Sequence, residues 1–330
     1  MYIHEECLAA FGVYLVMSGK GKNSSRGIKK MKGVSRWIIV TVVLAVLIVL
    51  GVVLSSAFLQ SNAKLPLTAV IVDQLGTDFP DPSFVLNVTA TLMSHGFSVA
   101  YFNSSLNVSF FRNLASSNYG IVILREHSAL RNDSSTVDLF TSEKYVVGAY
   151  QDDVDNGLLT KGEFTYEPGE FYFCLSPLFI GNLQGRFPSS IVIAMGCQSL
   201  IHGDNPMADA FIAKGAKAYF GWSDIVFPQD TDTETMNLLS MMFSENKTLG
   251  DAVGSTYPHS YTGYFSLTNQ TVTNVETRLE LFPLSNENLT VSQLIDQSKQ
   301  TPSSSLSDVA GFLILCPALS RVSIMQKKHQ

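Results

Sequence analysis

The chain has 330 residues, of which only 15% are charged, and it carries a formal net charge of −6. This acidic balance, without a basic patch among aromatic residues in the globular part, argues against nucleic acid as a partner. The four cysteines (Cys7, Cys174, Cys197 and Cys316) lie far apart and without zinc-type spacing, so we expect neither a structural metal nor another cofactor.

The amino-terminal part of the chain predicts a membrane anchor. Residues 1–36 form a tail whose second half is basic and has no acidic side chain. Residues 37–59 follow as an uncharged apolar run of 23 residues, and about 20 residues suffice to cross the hydrocarbon core of a bilayer. Because the positive charges precede the run, the positive-inside rule places the tail in the cytoplasm and the main domain outside the cell.

A cleaved signal peptide is the alternative to this anchor. Ser55, Ser56 and Ala57 could form a signal-peptidase site at the end of the apolar run. The apolar region of a signal peptide is usually only about 7–15 residues long, however. We therefore expect an uncleaved, single-pass signal anchor in the cell membrane.

Sequons for N-glycosylation are frequent after the predicted anchor, as expected for an exported domain. They begin at Asn87, Asn103, Asn107, Asn132, Asn246, Asn269 and Asn288. A single sequon is common by chance in a chain rich in Asn and Ser. It is therefore the density of the sequons that indicates an exported domain. We expect an extracellular glycoprotein.

After a linker at residues 60–67, buried strands alternate with helices. Strands are predicted at 68–73, 97–102, 120–125, 190–195 and 216–222, and helices at 83–95, 110–117, 207–214, 231–243, 248–253 and 290–298. Short apolar runs rich in Val and Ile are typical of strands that are covered on both faces. The order predicts an α/β domain with a parallel sheet over residues 68–299. Extended segments at 257–270 and 275–283 close the domain, and a Ser-rich and apolar tail occupies residues 300–330.

Residues 129–186 interrupt this alternation and predict a β-rich insertion with a hairpin or two and little helix. The insertion leaves the predicted sheet just after His127 and returns just before the strand that leads to Cys197. Long inserted loops often serve as lids or recognition surfaces. We therefore expect this insertion to lie over the functional site.

Two chemically reactive side chains follow buried strands of the predicted sheet. The strand at 190–195 ends at Gly196 and presents Cys197, and the strand at 120–125 ends at Glu126 and His127. Loops at the carboxyl ends of parallel strands are where α/β proteins place their chemistry. A thiol and an imidazole in these positions are the two parts of a cysteine nucleophile with its general base.

The residues around Cys197 resemble a known family. The run Ser-Ile-Val-Ile-Ala-Met-Gly-Cys-Gln-Ser at 190–199, followed by Ala-Asp-Ala-Phe-Ile-Ala-Lys-Gly-Ala-Lys-Ala-Tyr-Phe-Gly-Trp at 208–222, resembles the caspase-like cysteine peptidases, and among them the gingipain and CHAT branches. The resemblance covers roughly residues 68–253 without most of the insertion. It implies a three-layer sandwich around a parallel sheet. In this chain the predicted transmembrane helix precedes that domain.

The resemblance also implies roles for individual residues. Cys197 would be the nucleophile, His127 the general base, and the backbone N–H groups of Ser128 and Cys197 the oxyanion hole. The chain departs from the family at two positions, because the family usually has Gly where Ser128 stands and Ala where Gly196 stands. A serine could alter the oxyanion loop if glycine is needed there for a positive φ.

Less specific interpretations of Cys197 and His127 stay open at this point. Cys197 could be an inert buried cysteine or could form a disulfide with Cys174 in an oxidising exterior. His127 taken alone is more often a surface or capping residue than a base. The strand-end acids Asp73, Glu126 and Asp224, with Asp78, could line a specificity pocket that selects a basic substrate side chain. Ordinary solvated loop acids are the alternative for each.

The sequence thus supports two functional hypotheses. The first is an anchored extracellular cysteine endopeptidase that hydrolyses peptide or protein substrates through Cys197 and His127. The second is a catalytically inactive surface domain of the same fold that binds a protein or glycan partner through residues 129–186. The state of Cys197 discriminates them, since a free thiol near His127 favours the enzyme.

Overall fold

The computed structural model describes residues 41, 44–49, 64–131, 136–164, 166–201, 205–265 and 270–296. The chain divides into two units, residues 1–55 and 56–330. In the first unit, residues 41 and 44–49 are helical. The rest of the predicted anchor at 37–59, the basic tail and the carboxyl-terminal tail lie outside the described residues. Within the described part, no helix combines the length and apolar character that crossing a membrane requires.

The second unit begins with three strands that are linked by helices. These elements are β1 (Thr68–Asp73), α1 (Pro82–Ser94), β2 (Ser98–Phe102), α2 (Val108–Arg112) and β3 (Ile121–Arg125). Helix α1 begins at its N-cap Asp81, whose side chain accepts a hydrogen bond from the backbone N–H of Phe84. It ends before Gly96, whose φ of 87° is favourable only for glycine. The predicted helix stop is therefore confirmed.

The segment between β3 and the next parallel strand is rich in antiparallel strands. It contains β4 (Ser128–Leu130), β5 (Val137–Lys144), α3 (Gln151–Asp155), β6 (Leu159–Glu163), β7 (Phe171–Leu175) and α4 (Pro177–Asn182). The strands form a four-stranded sheet in the order β4-β5-β7-β6. We call this four-stranded sheet, with its connections, the inserted sheet. It corresponds to the predicted β-rich insertion, with two short helices in addition.

The chain then returns to the alternating pattern. The elements are β8 (Ile191–Ala194), α5 (Pro206–Ala213), β9 (Ala218–Trp222), α6 (Pro228–Leu239), α7 (Leu249–Val253), β10 (His259–Phe265), β11 (Gln270–Thr277), β12 (Leu279–Phe282) and α8 (Val291–Ile295). Strands β10 and β11 form a separate antiparallel hairpin. Strand β12 pairs antiparallel with β9 at the edge of the central sheet.

The central sheet has six strands in the order β12-β9-β8-β3-β1-β2. All of its strands except β12 run parallel to their neighbours. Such a sheet must be covered on both faces, because its strands are apolar on both sides. The expected α/β class with a parallel sheet is confirmed.

Alternate residues of the central strands enter two different cores. On β3, Ile121 and Ile123 pack with α1, α6 and α7, whereas Val122 and Leu124 pack with α2, α4, α5 and the inner face of the inserted sheet. Strands β1 and β8 divide in the same way. The period of two along each strand therefore builds a helix–sheet–helix arrangement of three layers.

Candidate functional site

The register of β3 and β8 brings the two candidate residues to the same edge of the sheet. These strands are parallel neighbours, with Leu124 opposite Ala194. His127 and Cys197 each follow three residues after this pair. Both line one cavity of about 60 Å³. The other residues that line this cavity are Leu75, Phe79, Glu126, Tyr166, Met195, Gly196, Ile225, Val226, Phe227, Pro228 and Thr231.

Cys197 is a free, partly buried thiol. Its Sγ donates a hydrogen bond to the carbonyl oxygen of Val226 at 3.5 Å. Burial raises the pKa of the thiol above its ordinary value. Cys174 is also free, and it lies buried in the inserted sheet beside Phe140. The two cysteines are therefore not joined to each other, unlike in the alternative that pairs Cys197 with Cys174.

His127 is enclosed by aromatic rings from two parts of the chain. Phe79 comes from the loop after β1, and Phe140, Phe164 and Tyr166 come from the inserted sheet, with ring centroids 4.7–6.5 Å from the imidazole. Burial, together with the positive charge of Arg125, lowers the pKa of His127 to about 4. The imidazole is therefore neutral near pH 7.

Side-chain and backbone contacts fix the orientation of His127. Its backbone N–H donates to Oε1 of Gln74 at 3.0 Å. Its ring Nε2 lies 3.0 Å from the hydroxyl of Tyr166. In the described part of the chain, no hydrogen bond joins the imidazole to Sγ of Cys197. The site therefore holds a neutral thiol and a neutral imidazole in one cavity, without a direct bond between them.

Ser128 and Gly196 connect the loops that carry the two candidate residues. The Ser128 hydroxyl donates to the carbonyl oxygen of Cys197 at 2.6 Å. A Cβ atom added at Gly196 would contact Ser128 Oγ and would lie 2.6 Å from the carbonyl oxygen of Glu126. Such distances are below any real Cβ contact, so the two loops touch backbone to backbone here.

Of the predicted pocket acids, Asp73 has a structural partner. Its carboxylate is buried and pairs with Arg125 at 2.7 Å, and it accepts a hydrogen bond from Tyr101. Arg125 also pairs with the buried Asp232 and donates to the carbonyl oxygen of Phe79. Asp73 does not line the cavity of Cys197. Instead, the Arg125 network joins β1, β3 and α6 and supports the loop that bears Phe79.

Glu126 and Asp224 lie nearer to the cavity. Glu126 lines it, but both carboxyl oxygens are buried without a hydrogen-bond partner in the described residues. Burial raises the pKa of this carboxyl well above its ordinary value. Asp224 accepts from the backbone N–H of Ile225 and from the side chain of Gln198. It closes the loop after Cys197 and does not line the cavity.

Several residues of the site carry no local sequence signal. Phe79, Phe164 and Tyr166 cover His127, and Tyr166 in turn donates to the exposed Asp78 at 3.1 Å. The remaining cavity walls are mostly apolar, from Leu75 to the segment Ile225–Pro228. Only the expectation that the insertion covers the site pointed toward Phe164 and Tyr166, and nothing in the sequence pointed toward the other residues. The structure agrees with that expectation.

A larger groove of about 870 Å³ lies along β12 and α7. Arg278, Glu280 and Phe282 are among its lining residues, and neither Cys197 nor His127 belongs to it. Size alone does not define a functional site without convergent reactive groups. In the described parts of the chain, no group of three or more His, Cys, Asp or Glu side chains could hold a metal ion.

Several sequon asparagines lie on the surface. The exposed ones are Asn87, Asn103, Asn246 and Asn288. Asn107 is partly buried, and its side chain caps α2 by accepting from the backbone N–H of Phe110. Asn132 and Asn269 lie outside the described residues.

Comparison with known proteins gives no assignment. No protein-family model matches the sequence, and no curated protein matches it either.

Proposed function

We propose that the domain is a membrane-anchored, extracellular cysteine endopeptidase of the caspase-like type. Cys197 is the nucleophile and His127 is the general base. The observation that carries the proposal is the common cavity of these two side chains, at equivalent positions after neighbouring parallel strands. The sequence resemblance to caspase-like peptidases supports the same assignment.

In the proposed reaction, His127 removes the proton from the Cys197 thiol as the sulfur attacks the carbonyl carbon of the scissile peptide bond. The electron pair of the carbonyl moves to the oxygen, which the backbone N–H groups of Ser128 and Cys197 stabilise. When the carbonyl re-forms, the C–N bond breaks and the amine leaves with the proton from His127. Water then hydrolyses the thioester, which restores the thiol.

The character of the cavity favours an apolar substrate side chain next to the scissile bond. Its walls include Leu75, Phe79, Val226 and Phe227. Asp73 and Asp224 are engaged elsewhere, and Glu126 is kept neutral by burial, which raises its pKa. Among the described residues that line this cavity, a basic substrate side chain would therefore find no available carboxylate.

The arrangement corresponds to a closed resting state. A cavity of about 60 Å³ has room for roughly four water molecules. Substrate entry therefore requires apolar walls of this cavity other than Tyr166 to move. Many enzymes close a lid over their catalytic groups in this way.

A catalytically inactive binding domain is the second candidate. Its specific support is that the Cys197 thiol donates to Val226 and that Nε2 of His127 is engaged with Tyr166, so no catalytic hydrogen bond is formed. In this alternative the inserted sheet presents a surface to a protein or glycan partner. Its exposed Val146 and Val147 would belong to such a surface.

Labelling of Cys197 with a substrate-like electrophile tests the first candidate against the second. The full-length protein in detergent is treated with peptidyl acyloxymethyl ketones that differ in the residue next to the ketone, and the adduct is mapped by mass spectrometry. We expect an adduct on Cys197 with apolar probes, and we expect His127→Ala to slow it by about 100-fold or more. Cys174→Ala is the matched control and should label normally. Absence of an adduct with apolar, acidic and basic probes contradicts the endopeptidase proposal.

A further inference from the structure

Tyr166 links the imidazole of His127 to a carboxylate. Its hydroxyl lies 3.0 Å from Nε2 of His127 and 3.1 Å from Oδ2 of Asp78. Tyr166 belongs to the inserted sheet, whereas Asp78 belongs to the loop after β1. The phenol ring is held between Phe164, stacked at an interplanar angle of 2°, and Phe79, packed edge-on.

Counting protons determines the direction of both hydrogen bonds. A phenol has one hydrogen to donate, and a carboxylate can only accept. Burial and the nearby charge of Asp78 raise the pKa of Tyr166, so that the hydroxyl keeps its proton. That proton goes to Asp78, and the phenol oxygen is left as an acceptor. The contact with His127 therefore requires a hydrogen on Nε2.

The other ring nitrogen is consequently the basic one. A neutral imidazole carries one hydrogen, so a hydrogen on Nε2 leaves a lone pair on Nδ1. Within the described residues, no group donates a hydrogen bond to this Nδ1. Tyr166 and Asp78 thus determine which ring nitrogen of His127 carries the hydrogen.

We propose that Tyr166 and Asp78 act as positioning residues that hold the proton of His127 on Nε2, so that Nδ1 is the atom that accepts the proton of Cys197. The function of Nδ1 in this proposal depends on the proposed peptidase activity, whereas the position of the proton does not. When His127 becomes protonated during the reaction, the Tyr166–Asp78 pair also stabilises the imidazolium. The inserted sheet therefore supplies part of the machinery as well as a cover.

The tautomer of His127 is measurable without any substrate. Full-length protein labelled with ¹⁵N-histidine is studied by long-range ¹H–¹⁵N NMR, and the His127 signals are identified by their loss in His127→Ala. We expect the wild type to carry its ring proton on Nε2. In Asp78→Asn the tyrosine hydroxyl can turn toward Nε2, so we expect the Nδ1-protonated tautomer to increase. In Tyr166→Phe the Nε2 proton loses its acceptor and should exchange faster with water.

Two further variants separate positioning from general structural damage. Tyr172→Phe is the matched control, because Tyr172 also packs against Phe164 but donates to Glu167 instead. Asp78→Glu keeps the carboxylate and should restore the wild-type tautomer. The proposal is overturned if the wild type carries its proton on Nδ1, or if Asp78→Asn and Tyr166→Phe leave the His127 signals unchanged.

Labelling of Cys197 distinguishes failure of this inference from failure of the proposed function. With an active wild type, we expect Asp78→Asn to slow labelling on the order of 10-fold. The loss should be smaller than the roughly 10⁴-fold loss seen when an aspartate in direct contact with a catalytic histidine becomes asparagine. If the wild type labels and Asp78→Asn labels equally fast, the inference fails and the peptidase stands. If the wild type does not label but its tautomer depends on Asp78, the peptidase fails and the assigned proton position stands.

Discussion

At the scale of single residues, the two departures from the caspase-like pattern are neighbours in space. Ser128 stands where the family usually has glycine, and Gly196 stands where it usually has alanine. A Cβ atom at position 196 would occupy the space of the Ser128 hydroxyl, and it would approach the backbone N of Ser128 to 2.8 Å. The hydroxyl donates to the carbonyl oxygen of Cys197. Glycine at position 196 therefore leaves room for the Ser128 hydroxyl and for the nearby backbone of Glu126, and Ser128 adds one hydrogen bond.

A double-mutant cycle tests this relation. We expect Gly196→Ala to destabilise the domain by about 1–3 kcal/mol, because an overpacked site must shift its backbone. Adding Ser128→Gly should recover part of the loss, with a coupling of about 0.5–3 kcal/mol. Urea unfolding of the four proteins measures both quantities. Strict additivity of the two changes would show that the positions do not share this space.

Glu126 is unusual because its buried carboxyl has no hydrogen-bond partner in the described part of the chain. The neighbouring Tyr219 hydroxyl is also buried without a partner in the described residues, and burial raises the pKa of that phenol. An ionised carboxylate in such surroundings is costly, so the folded protein retains the proton. This position makes stability depend on pH.

The contribution of Glu126 to stability falls as pH rises. The unfolded chain releases the Glu126 proton near pH 4.5, whereas the folded chain holds it to a higher pH because burial raises the pKa. The contribution of this carboxyl to the free energy of unfolding is therefore fully present below pH 4.5. It declines as pH rises, by at most about 1.4 kcal/mol per pH unit. We expect Glu126→Gln to flatten this decline in urea unfolding between pH 5 and pH 8. Parallel curves for variant and wild type would contradict it.

The sequence predicted Cys197 and His127 as site residues but did not predict the contacts of Tyr166, and the reason is physical. Cys197 and His127 follow buried strands, and the end of a parallel strand is recognisable in sequence. Tyr166 and Asp78 are 39 and 88 residues away from their respective partners His127 and Tyr166, in irregular segments. A contact at such separation depends on how the inserted sheet packs against the loops that carry His127 and Asp78. No local sequence pattern encodes that packing.

At the scale of elements, the inserted sheet has two faces with different tasks. Leu139, Leu159, Phe173 and Leu175 join the core beneath the central sheet. Phe140, Phe164 and Cys174 form a small cluster of their own, on which Tyr166 and Tyr172 pack. The first face anchors the sheet, and the aromatic residues of the second cover His127. Burial by this cover is the main reason that the pKa of His127 is low.

Removing part of the cover should therefore raise the pKa of His127. We expect Phe164→Ala to raise it from about 4 by one unit or more toward the ordinary histidine value of about 6.5. NMR titration of the His127 ring proton measures the change. Val147→Ala, at a residue of the same segment that is 86% exposed, is the control and should leave the pKa unchanged. An unaltered value in Phe164→Ala would show that the cover does not desolvate the imidazole.

The central elements were predictable within one or two residues at most boundaries, because buried strands and capped helices have short-range signals. The predicted helix at 110–117 is an exception. The α-helix is Val108–Arg112, followed by a short 3₁₀ turn at Leu114–Ser116. It begins earlier because Asn107 caps it. The antiparallel edge position of β12 and the separate β10–β11 hairpin were not predictable, since pairing partners are set by the tertiary structure.

At the scale of the whole molecule, the exposed sequons make the proposed orientation testable. Asn87, Asn103, Asn246 and Asn288 are on the surface of the described domain. An exported domain would meet the glycosylation machinery with these side chains accessible. Most of the predicted anchor lies outside the described residues. The glycans therefore provide independent information about the proposed extracellular position of the domain.

We expect the full-length protein from glycosylating cells to lose mass on treatment with peptide N-glycosidase. Changing each exposed sequon asparagine to glutamine in turn should reduce the mass by one glycan where that site is used. A variant with all of these changes should leave only the other sequons to be modified. A full-length protein without any N-glycan would contradict the extracellular orientation and would leave the site chemistry untouched.

The close packing of Gly196 against Ser128 also bears on how such a site can have arisen. If the chain descends from an arrangement with alanine and glycine at these positions, the methyl group had to be lost before the hydroxymethyl group was gained. The opposite order passes through an ancestor in which a methyl group and a serine side chain compete for one space beside Cys197. Under that descent, the packing inside this loop sets the order in which the two changes can occur.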